Sequence, residues 1–363
     1  MIKNYKIFVY LYILLFSKAI LASSSSSFLI SQNAFNNYDY SQVLFQYDSN
    51  GNEEYNKNSL NHLISAIVVE NLVTAKKIAK KILIKDPNNQ EAKLVMVTHA
   101  LKSKKNNEIY KLRLDEDKSK NDLLEFLFFI EDEIKTSTEI SNSFLEIVKS
   151  SYSKNENNYA QNYNFLLFYT SLSALINESN YEAIYIKGQL LQMINDYIFA
   201  ESTFLKIPEQ SSFFLDAQRN IAFIYSANDI FSNAEDKIKL IVSKNKEDYE
   251  LNKILADFYR IEKKFEVAIK KYSDLIKKDN SDAWYMFYLR GICYEQSDNW
   301  EKAELDFLES LKLKSDSPNV LNYLAYGWIE RDVRIDDSFI MLQDAYNSNP
   351  NSHYILDSLA WAY

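Results

Sequence analysis

Glycine and proline are scarce, with four of each in 363 residues. A fold of many tight β-turns needs both, and a phosphate-cradling loop needs clustered glycines, so neither has material here. Helices need neither. Cysteine is scarcer still: Cys293 stands alone, which excludes an intrachain disulfide. The histidines His62, His99 and His353 lie far apart, with no acidic or cysteine partner at ligand spacing. That pattern predicts no metal site and no cofactor. A basic face is also missing. The formal net charge is −9, with 41 Lys and Arg interleaved among 50 Asp and Glu, so nucleic acid is not an expected partner. The mixed-sign run 111–122 reads as a solvated connector. The close carboxylates at 131–133 and at Asp336-Asp337 read as solvated surface groups. No catalytic constellation emerges, and the chain is expected not to be an enzyme.

What is present begins with a leader. Lys3 and Lys6 precede ten apolar residues, Ile7 to Phe16, and small residues follow to Ala22. This is the three-part pattern of a secretory signal, predicting export to the periplasm with cleavage after Ala22. The apolar run is short of the ~20 residues of a spanning helix; an uncleaved leader is the alternative and the only membrane contact expected. No cysteine adjoins the cleavage site, which excludes a lipoprotein anchor. Loss of Lys3, Lys6 and Lys18 takes the basic count from 41 to 38 against 50 acids, a mature charge of −12. Ser23 to Ser27 then form a flexible start.

Small residues recur at fixed separation. Gly188, Ala222, Ala256, Gly291, Ala325 and Ala360 are spaced by 34, 34, 35, 34 and 35 residues. A second series, Ala200, Ala234, Ala268, Ala303 and Ser338, runs twelve residues behind the first or close to it. Each unit reads as two antiparallel helices. The small residue at the eighth position of the unit is expected to face the one at the twentieth, letting the axes approach. Large residues recur at the eleventh position (Leu191, Tyr225, Tyr259, Tyr294, Trp328, Tyr363) and the twenty-fourth (Phe204, Ile238, Tyr272, Phe307, Leu342), where they are expected to fill the space between successive pairs. Polar turns such as Ser179-Asn180, Asn228-Asp229 and Asp298-Asn299 supply caps, and Pro87 and Pro350 stop second helices.

These residues resemble the tetratricopeptide repeat (TPR) family, whose pattern runs W-x2-L-G-x2-Y and then A, F, A and P. The best unit carries Trp284, Phe287, Gly291, Tyr294, Ala303, Phe307 and Ser310, with Arg290 in place of Leu and Ser315 in place of Pro. The next carries Leu321, Leu324, Ala325, Trp328, Ser338, Leu342, Ala345 and Pro350, with one residue inserted near Val333. Residues 356–361 look like the closing repeats of bacterial TPR proteins. The expected organisation is a signal peptide (1–22), a serine-rich start with a degenerate repeat (23–55) in which Ser41 matches Ala75, TPR-like repeats (56–121), an irregular segment of about three helices (122–180), and TPR repeats, the last incomplete (181–363).

The resemblance implies an all-α, right-handed superhelical solenoid of antiparallel helix pairs whose first helices line a concave groove for a protein or peptide ligand. In the family, the second, fifth, ninth and twelfth positions face that groove. Here they are Tyr185, Gln189, Arg219, Phe223, Lys253, Asp257, Arg260, Tyr285, Tyr288, Asn322 and Tyr326. The Lys-then-Asn pattern that clamps a terminal carboxylate is absent, since Lys253 is followed by Asp257, so a chaperone tail is not an expected ligand. The resulting expectation is a periplasmic scaffold for cell-envelope assembly. The alternative is a non-catalytic solenoid belonging to a larger cell-wall enzyme. Tyr363 ends the sequence within a first helix, leaving Leu356, Leu359, Ala360 and Trp361 without a covering helix. That predicts either a fragment or self-association through the uncapped repeat.

Overall fold

Six first helices of the repeats end by the same device. The last turn of each is closed by a residue with positive φ, followed at once by the start of the second helix. Glu70, Lys104, Asn195, Lys263, Asp298 and Asp332 occupy this left-handed position, with φ between 52° and 63°. At the first of them, Glu70 N donates to Ile67 O at 3.0 Å and Asn71 N to Ala66 O at 2.8 Å, the paired hydrogen bonds of a Schellman motif. The same pair recurs at Asn195-Asp196 and Asp298-Asn299. Glycine is the usual occupant, and its absence costs about 1 kcal/mol per turn, a strain sustained because the helix on each side is packed. Asn71 and Asp196 then cap the second helix, and Asn89, Asn180 and Asp248 cap first helices, each side chain accepting from a backbone amide three residues on at 2.8–3.3 Å.

The computed structural model describes residues 24–49, 58–114, 122–130, 133–154, 163–228, 230–278 and 281–363. The leader 1–22, most of the connector 111–122, Asp229 and residues 131–132 lie outside them. The described residues form twenty helices and one two-stranded hairpin. They divide into unit 1, to Ala217, and unit 2, from Gln218.

Unit 1 begins with the pairs α1 (Ser24–Asn36) with α2 (Tyr40–Ser49), α3 (Ser59–Val68) with α4 (Leu72–Lys85), and α5 (Gln90–Lys102) with α6 (Asn106–Leu114). In the first pair the left-handed residue is Tyr38, 32 and not 34 residues before Glu70. The degenerate repeat is therefore out of register. Ser41 is exposed, and Val43, fully buried, takes the place predicted for it.

The irregular segment comprises α7 (Asp122–Phe128), the hairpin β1 (Phe129–Ile130) with β2 (Glu133–Ile134), α8 (Ser137–Lys154) and α9 (Tyr163–Ile176). α8 and α9 pair, joined by reciprocal bonds between Ser141 Oγ and Ser173 O (2.9 Å) and Ser173 Oγ and Ser141 O (2.8 Å). α9 is apolar on all sides, and every residue from Leu166 to Ala174 is buried, as a helix lacking a polar face requires. It packs against α8 and α10, and also against the neighbouring first helices α3 and α5.

α10 (Tyr181–Met193) and α11 (Tyr197–Phe204) complete unit 1. Lys187 Nζ, almost wholly buried, donates to Val68 O at 2.8 Å and Glu70 Oε1 at 2.9 Å. Lys206 binds both oxygens of Glu70 at 2.6 and 2.7 Å. Burial alone would raise the Glu70 carboxyl, but the two ammonium groups outweigh it and bring it down to about 2.

Beyond α12 (Phe214–Ala227), unit 2 keeps one register. It contains α13 (Ala234–Lys244), α14 (Tyr249–Ile261) paired with α15 (Phe265–Ile276), α16 (Ala283–Glu295) with α17 (Trp300–Leu313), and α18 (Pro318–Ile329) with α19 (Ile335–Ser348). α20 (His353–Ala362) packs on α18 and α19.

The expected small-on-small contact takes a different form. A Cβ on Gly188 would lie 2.5 Å from the Phe204 ring, and one on Gly291 would lie 2.7 Å from the Phe307 ring. The small residue at the eighth position thus seats the aromatic at the twenty-fourth position of its own pair. Phe307 also reaches the space between pairs as expected, its ring lying 6.0 Å from that of Tyr323 on the next first helix.

Candidate functional site

The first helices α16, α18 and α20 of unit 2 line an open cleft of about 730 Å³, within the usual ~300–1,000 Å³ of ligand sites. The register decides who faces it. α18 contributes Asn319, Asn322 and Tyr326 from the second, fifth and ninth positions. α16 contributes Tyr288 from the fifth and Glu295 from the twelfth, and α20 contributes Tyr354, Asp357 and Trp361 from the second, fifth and ninth. Tyr323 and Trp300 add two further rings, and Glu330 a third carboxylate.

The floor is rigid and the walls are open. Tyr288 is 8% exposed, packed 5.5 Å edge-on to Tyr323 and 6.2 Å from Phe307. Tyr354 and Trp361 are 82% and 69% exposed. Burial first, and then neighbouring phenols, push the Tyr288 hydroxyl far above its usual range. Burial followed by Glu295 raises Tyr323, and a hydrogen bond with Glu330 raises Tyr326. All three phenols remain protonated donors at neutral pH. Asn322 is 9% exposed, and its Oδ1 accepts no hydrogen bond.

Of the residues expected from sequence, Tyr288, Asn322 and Tyr326 come together here. Tyr285 lies 5.9 Å behind Tyr288, with Lys253 Nζ 5.7 Å from its ring. The others lie apart. Tyr185 stacks on Phe213 and receives Gln189 Nε2 at 3.2 Å, within unit 1. Arg219 forks onto Asp248 at 2.6 and 3.2 Å, holding the cap of α14. Tyr272 Oη donates to Asp257 at 2.6 Å, and Arg260 Nε donates to Tyr272 Oη at 3.2 Å. Phe223 is 48% exposed with no place in the cleft. Asn319, Glu295, Tyr354, Asp357 and Trp361 were omitted from the sequence reading although the same positional rule selects them. Tyr323 and Trp300 obey no such rule.

A second cavity, of about 490 Å³ in unit 1, is lined by Glu70, Lys187, Lys206 and Glu178. Its charges are already paired, Glu70 with Lys187 and Lys206, and Glu178 with Lys102. Cys293 is fully buried and its thiol pushed up to about 12 by burial, which leaves it unreactive. Among the described residues no three His, Cys, Asp or Glu side chains gather as a metal site, and no helix is long and apolar enough to cross a membrane.

Helix pairs at 34-residue spacing, a glycine seating a phenylalanine in two of them, and a recurring turn define an α-helical repeat fold of the tetratricopeptide type. No family model matches the sequence, and no curated protein is similar to it. Its neighbours among solved structures are TPR proteins. The APC/C hetero-tetramer Cut9-Hcn1 has 14% identity and a TM-score of 0.47, the match covering 94% of this chain and 63% of that one. A TPR protein from Parabacteroides merdae has 10% identity and a TM-score of 0.42, over 84% and 98%. YrrB, described as a TPR protein with an unusual peptide-binding site, has 14% identity and a TM-score of 0.40, over 52% and 96%. The chain thus spans 63% of the length of the Cut9-Hcn1 chain it matches.

Proposed function

We propose that this protein is an exported repeat scaffold that holds a segment of another protein in the α16–α18–α20 cleft, serving cell-envelope assembly in the periplasm. The observation that carries the binding role is the cleft itself: three adjacent first helices present open aromatic faces above a buried floor in which Asn322 Oδ1 accepts no hydrogen bond. Such surfaces bind by inserting anchors between rings. The leader pattern of residues 1–22 supports export.

Site-specific photocrosslinking in the native host tests both parts. A crosslinker replacing Tyr326 should capture an envelope protein, and one replacing Val267 on second helix α15 should not. Equal capture at both positions would sink the cleft assignment. Retention of the protein inside spheroplasts would sink export.

A further inference from the structure

Resting on the reading of this cleft as a peptide site, we propose that its ligand is an arginine-bearing peptide segment, the guanidinium groups lying between the aromatic faces and the cleft carboxylates. Glu295, Glu330 and Asp357 line the cleft, and no Lys, Arg or His does. Asp357 makes no hydrogen bond or ion pair among the described residues. Glu295 accepts only from Gln296 Nε2 at 2.7 Å, and Glu330 meets Arg331 Nη1 at 3.7 Å besides its bond with Tyr326. The nearest cations are committed. Arg331 stacks on Trp300 at 4.2 Å and donates to Gly327 O at 2.9 Å, and Arg260 is tied to Asp257 and Tyr272.

The aromatic faces that remain are those a guanidinium prefers. Unit 2 already uses the pairing, most closely with Arg331 over Trp300 at 4.2 Å and Arg334 over Trp328 at 4.4 Å. Tyr354, Trp361 and Tyr326 offer the same surface, with no cation stacked on it among the described residues. A planar cation can lie on a ring while its edge forks to a carboxylate, which an ammonium cannot do. Asn322 Oδ1 adds an acceptor without a donor, reached by turning the amide toward the cleft. An acidic segment would instead meet three carboxylates.

Fluorescence anisotropy of the full chain at physiological salt tests the proposal, using labelled short peptides that alternate serine with arginine, citrulline or glutamate. The arginine peptide should bind, and its citrulline isostere, alike in shape without the charge, should bind about tenfold more weakly. Glu295→Gln with Asp357→Asn should also weaken the arginine peptide about tenfold, whereas Asp236→Asn with Glu266→Gln, the same charge change on exposed second helices, should stay within about twofold. Equal losses from the two double variants would overturn the proposal, since the attraction would then belong to the net charge. Citrulline or glutamate peptides that bind at least as tightly, and are released by Trp361→Ala, would overturn the arginine preference and leave the cleft standing as a peptide site. Binding of every peptide unmoved by Trp361→Ala and Tyr326→Ala would remove the cleft and the proposal together. Thermal melts of each variant matching the parent secure these readings.

Discussion

The two units begin from the same repeat and treat its inner face in opposite ways. In unit 1 the neighbouring first helices α3 and α5 are covered by α9, a helix without a polar side. In unit 2 the first helices α16, α18 and α20 leave one side open, which becomes the cleft. A repeat stack can therefore either spend its first-helix surface on its own stability or leave it for a ligand. Because α9 fills the face, unit 1 should behave as a closed hydrophobic core, and unit 2 as a stack whose lining residues contribute little to stability.

The largest effect that could break this contrast comes from α9. Phe168 is 1% exposed at its centre, so Phe168→Ala should destabilise unit 1 by about 4 kcal/mol. Tyr326→Ala in the open cleft should change unit 2 by less than about 0.5 kcal/mol. The molecule provides its own reporters, because all four tryptophans, at 284, 300, 328 and 361, lie in unit 2. In urea unfolding, Phe168→Ala should shift the circular-dichroism transition and leave the tryptophan transition in place. If both move together, the units are not separable and the contrast fails.

The next effect concerns what periodicity can and cannot reveal. The 34-residue register located the helix pairs, the buried small residues and three cleft residues, Tyr288, Asn322 and Tyr326, because these depend on position within one repeat. It is silent on α9, whose burial depends in part on helices about 70 and 100 residues earlier. It also assigned Arg219 and Arg260 to the groove, where position permits them but Asp248, Asp257 and Tyr272 hold them instead. The departure from the TPR pattern at Arg290 has a readable cause. Arg290 Nε and Nη2 each meet Asp306 at 2.7 Å, and Nη1 meets Ser273 Oγ at 2.8 Å. Burial pushes the Asp306 carboxyl up in spite of Arg290, whereas at Arg290 burial is outweighed by the Asp306 carboxylate, which raises its guanidinium, so removing one partner and removing both are different experiments. Arg290→Leu alone strands a carboxylate of 7% exposure and should cost unit 2 about 3 kcal/mol, while adding Asp306→Leu should recover it to within about 1 kcal/mol. A double variant as unstable as the single would show that the pair itself holds the repeat.

Acid separates the units by a third route. His62 sits in unit 1 with Ser31 Oγ 3.0 Å from Nε2 and the Tyr47 ring 5.2 Å away. Burial brings its pKa down from 6.5 to about 4. The folded state therefore refuses a proton that the unfolded chain accepts. Stability is full above pH 6.5, falls as pH drops through the window to 4, and is lower by about 2 kcal/mol at pH 5. Glu70 adds a loss only further down, as pH falls from 4.5 toward 2. The circular-dichroism midpoint should thus drop between pH 7 and pH 5 while the tryptophan midpoint holds, and His62→Gln should remove most of the drop, the remainder belonging to His99, which burial also holds low. A pH-independent first transition would contradict the neutral, buried imidazole.

The smallest effect tests what the units share. Gly188 in unit 1 and Gly291 in unit 2 each seat a fully buried phenylalanine, with 2.5 and 2.7 Å left for a Cβ. Alanine would gain roughly 1 kcal/mol of helix propensity at either site, but Phe204 and Phe307 have no room to retreat. Overpacking of about 1 to 3 kcal/mol should therefore win, leaving each unit about 1 kcal/mol less stable, Gly188→Ala in the dichroism transition and Gly291→Ala in the tryptophan transition. Gly327 gives the counter-case. Its Cβ would meet the far end of Trp300 at 2.0 Å, and Trp300 is only half-buried at the cleft edge. The indole can swing, so Gly327→Ala should be near neutral in stability yet change the cleft's shape, visible as a shifted tryptophan emission in the folded protein. Stabilisation at all three sites would mean that the close approach of the paired helices is not what the small residues provide.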